Sequence, residues 1–164
     1  MIRIGDISDD GELVAEELHR FEPGGSVSAD QFLRPGDVLF PNRGTRTTAL
    51  AFELPLENVI VGAQFFVLRP NQKMIDPAYL AWCLRSTEAA QYFHTCRRGT
   101  LVQTLQTASL AEFEIPLPPL PDQSRIVELD QLALQERKLS RLLEKKQSLL
   151  LQTALQRFAK KQSR

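Results

Sequence analysis

Two short polar stretches carry side chains of the kind that bind phosphates and base edges. The first is residues 41–48, with Asn42, Arg43, Thr45, Arg46 and Thr47, and the second is residues 96–104, with Arg97, Arg98, Thr100, Gln103 and Thr104. Arginine can read guanine through two hydrogen bonds, asparagine can read adenine, and threonine contacts phosphates or thymine methyl groups. On composition alone the first stretch fits an ordinary polar hairpin tip better than a binding loop. Two such stretches on one domain are the minimum footprint of a DNA-contacting face.

Catalytic motifs are absent from the sequence. It has no glycine-rich phosphate loop, no serine or cysteine nucleophile with a histidine at recognisable spacing, and no Asn-Pro-Pro-aromatic signature of a methyltransferase. We therefore expect no enzyme activity and no cofactor. The only close pair of metal-binding residue types is His94 and Cys96, and it lacks the usual ligand spacing. We expect no metal site, and we interpret Cys83 as a buried helix residue.

Charge is distributed unevenly although the formal net charge is zero. Residues 1–30 carry eight acids and two bases, residues 31–120 seven and eight, and residues 121–164 five and ten. No apolar run reaches the roughly 18 residues of a membrane helix, and the N-terminus does not resemble a signal peptide. The sequence thus predicts a cytoplasmic protein that does not bind membranes, with one core of roughly 115 residues and an appended helix.

The C-terminal part begins with four prolines in residues 116–121 and then contains no further proline or glycine. Prolines exclude a helix interior or a central strand, so the chain must be extended there. Pro121 and Asp122 suit the first helical turn. The Leu-, Gln-, Lys- and Glu-rich remainder predicts one helix over residues 122–161, roughly 60 Å long at about 1.5 Å per residue.

An apolar stripe runs along this predicted helix. Its members are Leu129, Leu132, Leu139, Leu142, Leu143, Leu149, Leu150, Ala154 and Phe158, interrupted by Glu136, Lys146, Thr153 and Arg157. Such a stripe is too long for so short a chain to cover, which favours a second long helix beside it. The alternative is a helix folded back on its own domain.

The preceding residues predict an α+β domain. We expect strands on both sides of a turn at residues 8–11, a buried strand after Pro35-Gly36, and core strands at residues 59–62 and 64–68. Asp76 followed by Pro77 predicts a helix N-terminus, and the helix should extend to about Phe93. The expected division is a recognition domain at residues 1–117 and a long-helix segment at residues 118–164.

The order of these features resembles the specificity subunit of type I restriction-modification systems. The resemblance covers nearly the whole chain and rests on Leu33-x-x-Gly36-Asp37-Val38-Leu39, Val67-Leu68-Arg69-Pro70, Asp76-Pro77-x-Tyr79-Leu80, Gly99-Thr100 and Ile115-Pro116-Leu117-Pro118-Pro119-Leu120-x-x-Gln123-x-x-Ile126-Val127. Its most specific part is the proline and glutamine signature joined to the helix. In that family a target recognition domain ends in a proline-rich turn and continues into a long helix.

The resemblance implies a DNA-recognition subunit without chemistry of its own. A typical specificity subunit has two recognition domains and two long helices, whereas this sequence has one of each and lacks an N-terminal aromatic segment, so it resembles half a subunit. Two copies would form a homodimer by pairing their long helices as an antiparallel coiled coil and would read an inverted repeat of double-stranded DNA. Methyltransferase subunits and a restriction subunit would be the partners, and Arg43, Thr45, Arg46, Thr47, Arg97, Arg98 and Thr100 would lie near DNA.

A protein-interaction module is the rival class. The acidic N-terminal part, the neutral total charge and the missing N-terminal segment also fit a domain that retains the fold but not DNA affinity. Such a domain would act as an adaptor or decoy toward a methyltransferase subunit. Association with a methyltransferase without DNA binding by the chain alone would favour this class, or a DNA reader that needs its partner.

Overall fold

A computed structural model gives the structure of the protein and describes residues 1–14, 18–20, 22, 24–25, 28–99 and 101–162. The chain divides into two compact units, Met1–Val127 and Glu128–Arg164. Within the described ranges, no helix combines the length and the apolar character needed to cross a bilayer.

A three-stranded antiparallel sheet in the order β2-β1-β3 lies at the centre of the first unit. The strands are β1 (Asp37–Pro41), β2 (Leu50–Phe52) and β3 (Phe65–Leu68). Gly36 precedes β1 with φ of 91°, a conformation that disfavours any residue with a Cβ. The predicted turn and buried strand are therefore confirmed, and so is the strand at residues 64–68.

Both faces of β1 are covered by hydrophobic clusters because alternate residues of a strand point in opposite directions. Val38 and Phe40 join one cluster and Leu39 joins the other. In the first cluster the Phe40 and Phe93 rings lie 4.9 Å apart. This central strand consequently fixes the position of the loop that begins at residue 42.

An ion pair with a fully buried carboxylate connects the start of β1 to the end of β3. Arg69 donates from Nε to Asp37 Oδ1 at 2.7 Å and from Nη2 to Oδ2 at 2.9 Å. The Arg34 backbone N–H donates to Oδ2 at 2.8 Å. A bidentate pair with a third donor satisfies a carboxylate that is only 1% exposed. Asp37 and Arg69 thus have a structural role.

Two helices replace the single helix predicted from residue 77 to about 93. They are α1 (Pro77–Arg85) and α2 (Thr87–Cys96). Asp76 caps α1 as expected, accepting from the backbone N–H groups of Ala78 and Tyr79. Ser86 breaks the helix because its backbone is extended, with ψ of 157°, and its hydroxyl accepts from the Ala89 N–H as the cap of α2. Cys83 is buried, as predicted.

The last two helices are α3 (Thr107–Ala111) and α4 (Leu120–Gln162). α4 is continuous over 43 residues, which confirms the long C-terminal helix. It starts two residues earlier than predicted, with Pro121 and Asp122 in its first turn. Gln123 in that turn is fully buried, and its contacts lie in the first unit.

Two predictions of regular strands were wrong. In the described part of residues 2–18, the backbone forms a 3-10 turn at Ile4–Asp6 and one antiparallel bridge between Ile7 and Leu13. Residues 15–17, within the predicted strand after the turn, lie outside the described residues. Residues 59–62 provide a single parallel bridge between Val61 and Ile2. The apolar side chains of both segments, among them Ile2, Ile7 and Val59, join the second cluster without forming a ladder. Burial alone therefore produced the strand-like pattern.

Candidate nucleic-acid interface

The two polar stretches lie side by side in the structure. We name residues 42–48 loop A and residues 97–105 loop B. The Gly44 N–H donates to Gln103 O, and the Leu105 N–H donates to Asn42 O, both at 2.8 Å. The two loops are thus joined by backbone hydrogen bonds into one surface.

Loop B is a short hairpin closed by two backbone hydrogen bonds. The Arg98 N–H donates to Thr104 O at 3.0 Å, and the Thr104 N–H donates to Arg98 O at 2.8 Å. Gly99 has φ of 111°, and a Cβ there would lie 2.5 Å from Val102 O. Glycine is therefore required at this turn, which explains one of the positions on which the family resemblance rests.

Arg97 lies beneath the surface and holds loop A. It is 8% exposed, and its guanidinium donates from Nη1 to Gly44 O at 2.6 Å and from Nη2 to Arg46 O at 2.7 Å. Burial lowers the pKa of Arg97, because an apolar environment disfavours the charged form. Its geometry is that of a positioning residue.

Arg46 is also engaged within the domain. It donates from Nη1 to Ile4 O at 2.9 Å and from Nη2 to Ile7 O at 2.7 Å. Its Nη2 also forms an ion pair with Asp9 at 2.8 Å. Loop A is therefore connected to the N-terminal segment as well as to loop B.

The remaining predicted contact residues differ in exposure. Arg43, Thr45 and Arg98 are exposed, and Thr47 is half-buried. Arg43 and Arg98 both form backbone bridges with Thr104, so the two exposed arginines lie on segments that flank Thr104. Thr100 lies outside the described residues. The adjacent residues Arg97 and Arg98 thus differ in exposure, since Arg98 faces solvent and Arg97 does not.

Unsatisfied polar atoms concentrate in these two loops. Among the described residues, the buried side-chain atoms without a hydrogen-bond partner are Asn42 Oδ1, Arg46 Nε, Arg97 Nε and Gln103 Oε1. Buried polar groups are normally paired, so four unpaired atoms in two adjoining loops call for a partner such as water or a ligand. Asn42 and Gln103 belong to the two polar stretches noted in the sequence, although they were not among the predicted contact residues.

A polar pocket of about 260 Å³ opens beside loop A. Its walls are formed by Asp9, Thr45, Arg46, Thr47, Thr48 and Arg85. Arg85 Nη1 donates to Ala49 O at 3.0 Å, which holds the end of α1 against the strand that follows loop A. The pocket therefore combines two guanidinium groups with three hydroxyl groups.

Cys83 does not form part of this surface. Cys83 is buried in α1, and burial raises the pKa of its thiol. Over the described part of the chain, no group of three or more His, Cys, Asp or Glu residues is arranged to hold a metal ion.

Every apolar residue predicted for a helix partner lies on the continuous helix α4. Leu129, Leu132, Leu139, Leu142, Leu143, Leu149, Leu150 and Phe158 are between 48% and 73% exposed, and Ala154 is exposed as well. Leu151 and Leu155 widen the exposed apolar surface. A single helix that exposes this many leucines is typical of a coiled-coil strand.

The fold defines a class of protein, in which a mixed domain on a small antiparallel sheet continues into one long helix. Residues 29–160 match the family described as type I restriction modification DNA specificity domain. The chain belongs to this family.

Relatives of known name are specificity subunits. One, of Methanocaldococcus jannaschii, is named for the type I restriction enzyme MjaX and is 29% identical over 98 residues. Another, the HindI specificity subunit of Haemophilus influenzae, is 27% identical over 105 residues. The matches cover 57% and 62% of this chain, but only 23% of each relative.

Solved structures show the same fold. A chain from a study of complex assembly and conformational transition of the type I R-M system aligns with a TM-score of 0.70 and 26% identity, over 94% of this chain and 41% of that chain. The HsdS subunit from Thermoanaerobacter tengcongensis aligns with a TM-score of 0.63 and 26% identity, over 85% and 37%. This chain thus spans less than half the length of either solved chain.

Proposed function

We propose that this chain recognises double-stranded DNA as a specificity unit of a type I restriction-modification system. The observation that carries the proposal is the joining of loops A and B into one surface, within the domain of a family described by its DNA specificity. In the proposed division, residues 1–117 read DNA, and residues 118–164 form the proline-rich entry segment and the dimerisation helix.

The proposed contact residues fall into two roles. Arg43, Thr45, Thr47 and Arg98 contact the duplex, because their side chains are exposed or half-buried at the joined loops. Arg97 supports loop A through the carbonyl groups of Gly44 and Arg46. Arg46 has both a structural and a contact role, because it joins loop A to the N-terminal segment and also lines the pocket beside that loop. Thr100 is assigned to the contact group from its sequence position. Phosphate contacts would orient the domain, and base-edge contacts would select the sequence.

In this proposal, two copies of the chain form a dimer through α4. Its exposed leucines require an apolar partner, and a second copy supplies the same stripe in an antiparallel coiled coil. A helix of 43 residues is about 65 Å long at about 1.5 Å per residue. Two domains carried by paired helices would then read two inverted half-sites with a fixed spacing.

Chemistry belongs to other subunits in this proposal. Methyltransferase subunits and a restriction subunit would dock on the helices, and the chain would supply recognition only. The likeness to a chain from a study of type I complex assembly supports this arrangement.

Duplex binding tests the DNA-recognition role. Binding to random duplex at two salt concentrations should weaken in Arg43→Ala and Arg98→Ala, each by about five- to ten-fold at low salt. Each loss of one phosphate contact should reduce the salt slope by about 0.9. Lys73→Ala is the control, since it removes one exposed positive charge outside both loops.

Equal effects of the three substitutions would contradict the assignment of the loops. Absence of duplex binding, together with association with a methyltransferase subunit, would favour the adaptor role instead.

Solution mass tests the dimer. We expect light scattering to give twice the chain mass, and Leu139→Glu with Leu143→Glu to give a monomer, because two charges would be buried in the apolar seam. The control is Ser148→Glu with Gln152→Glu. These two exposed positions lie on the opposite side of α4 at about 3.6 residues per turn. A wild-type monomer would refute the proposed pairing.

A further inference from the structure

The polar pocket beside loop A has the lining of an anion site. Two of its six lining residues are arginines and three are threonines, and Asp9 is the single acid. Guanidinium and hydroxyl groups are the donors that phosphate oxygens accept from in proteins. The pocket has little apolar character among its lining side chains, so an apolar ligand would not be favoured there.

Arg46 is held in place before any ligand arrives. Its two terminal nitrogens donate to Ile4 O and Ile7 O, so the side chain has little freedom left to lose. Its backbone carbonyl accepts from the buried Arg97, which fixes the loop as well as the side chain. A guanidinium has five N–H donors, and the two carbonyl groups and Asp9 use three of them.

Asp9 places a carboxylate where an external anion would bind. Its Oδ1 lies 2.8 Å from Arg46 Nη2, and its side chain is 92% exposed. An ion pair this open to water is weak, so another anion can replace it. The acidic N-terminal part, which the sequence showed as a charge asymmetry, thus supplies an internal anion beside loop A.

We propose that this pocket binds a phosphate group of the DNA backbone, which replaces the Asp9 carboxylate on Arg46. The inference rests on the proposed DNA-recognition function and specifies a contact within it. Arg46 supplies a guanidinium that is already positioned, and Arg85 is the second arginine of the lining. Thr45 and Thr47 supply hydroxyl donors. Once Asp9 leaves, the Arg46 guanidinium donates to the phosphate, and Asp9 lowers affinity in the free protein by competing for the same donors.

A double-mutant cycle on duplex binding tests this exchange. Asp9→Asn should bind duplex about three- to five-fold more tightly than wild type, because it removes a competing exposed ion pair. Arg46→Gln should weaken binding and lower the salt slope by about 0.9. In the Arg46→Gln background, Asp9→Asn should no longer improve binding, since the contested guanidinium is gone.

Glu57→Gln is the matched control because it removes one exposed negative charge outside the pocket. Its effect on affinity should stay below about 1.5-fold in both backgrounds. Arg46→Gln also loses two carbonyl contacts, so its fold is checked by thermal unfolding. If Arg46→Gln proves unstable, the comparison of Asp9→Asn with Glu57→Gln still decides the question. The exposed Asp9 side chain has no role in the core, so Asp9→Asn should fold normally.

The source of the phosphate is separated by a second titration. Stabilisation of wild type against heat is compared between a short duplex and inorganic phosphate at equal phosphate concentration. Stabilisation by duplex, lost in Arg46→Gln, supports the proposal. Stabilisation by inorganic phosphate alone would assign the pocket to a free anion and overturn it.

The failures of the two proposals can be told apart. If Asp9→Asn matches Glu57→Gln while Arg43→Ala and Arg98→Ala still weaken duplex binding, the pocket assignment is wrong and DNA recognition stands. If wild type does not bind duplex, the DNA-recognition function fails, and the pocket assignment fails with it.

Discussion

Replacing Gln123 with methionine should destabilise the first unit strongly although the side-chain volume hardly changes. Gln123 is 0% exposed and joins three segments. Its Oε1 accepts from the Asp76 N–H at 2.9 Å, and its Nε2 donates to Met74 O at 3.0 Å and to Pro118 O at 2.8 Å. The side chain thus ties the first turn of α4 to the loop that precedes α1.

The magnitude follows from these three hydrogen bonds. Each contributes about 1 kcal/mol net, so their loss costs about 3 kcal/mol. The Asp76 N–H would also be left buried without a partner, which raises the cost toward about 4 kcal/mol. Methionine fills the same space, so the cavity contribution is small. A loss of this size is a large fraction of the roughly 5–15 kcal/mol that stabilises an ordinary domain.

Urea unfolding monitored by circular dichroism measures the effect. Gln152→Met is the control, since it makes the same exchange at an exposed position of the same helix and should change the free energy of unfolding by less than about 0.5 kcal/mol. Both variants are compared with wild type at the same protein concentrations, because the proposed dimerisation would make apparent stability depend on concentration. A destabilisation below about 1 kcal/mol, or one equal to that of the control, would refute the reasoning.

Three further predictions follow from single contacts. Arg97→Met should lower the free energy of unfolding by about 2 kcal/mol, because two loop carbonyls lose a buried donor, whereas Arg98→Met should change it by less than about 0.5 kcal/mol. Equal urea midpoints would contradict this. Ser86→Ala should cost about 1 kcal/mol, because the Ala89 N–H loses its cap, and an unchanged midpoint would count against the capping role. Desolvation, followed by a hydrogen bond with Cys83, raises the pKa of Tyr79 to about 12 from 10.0, so its contribution is complete below about pH 10 and is lost as the pH rises toward 12. The free energy of unfolding, measured with urea, should fall more steeply between about pH 10 and 12 for wild type than for Tyr79→Phe. Parallel curves would contradict the prediction.

The elements that the sequence predicted correctly are those specified by local rules. Four prolines followed by helix formers specified α4, and Asp76 before Pro77 specified the start of α1. The glycine turn before β1 is equally local, since it depends on one backbone conformation. Ser86 was a local cap that we overlooked, and it divided one predicted helix into two. The predicted strand at residues 59–62 was wrong because apolar composition signals burial but not pairing, and the turn at residues 8–11 is flanked by single bridges in the described residues and not by two strands.

The positions on which the family resemblance rests are mostly structural. Gly36, Asp37, Arg69, Asp76 and Gln123 form a turn, a buried ion pair, a helix cap and a hydrogen-bonded anchor. They identify the scaffold because each satisfies a demand that few residue types can meet. The sequence could therefore establish the family more readily than the proposed DNA contacts.

The sequence by itself determined the long helix, its apolar stripe and the family. Only the tertiary structure decided which polar residues form one surface, because loops A and B are about fifty residues apart in the chain and meet through hydrogen bonds across the fold. It also separated Arg97 from Arg98, which have the same chemistry and adjacent positions. One guanidinium is buried against loop carbonyls and the other faces solvent, because burial is set by which segment lies over a residue, and no local pattern encodes that.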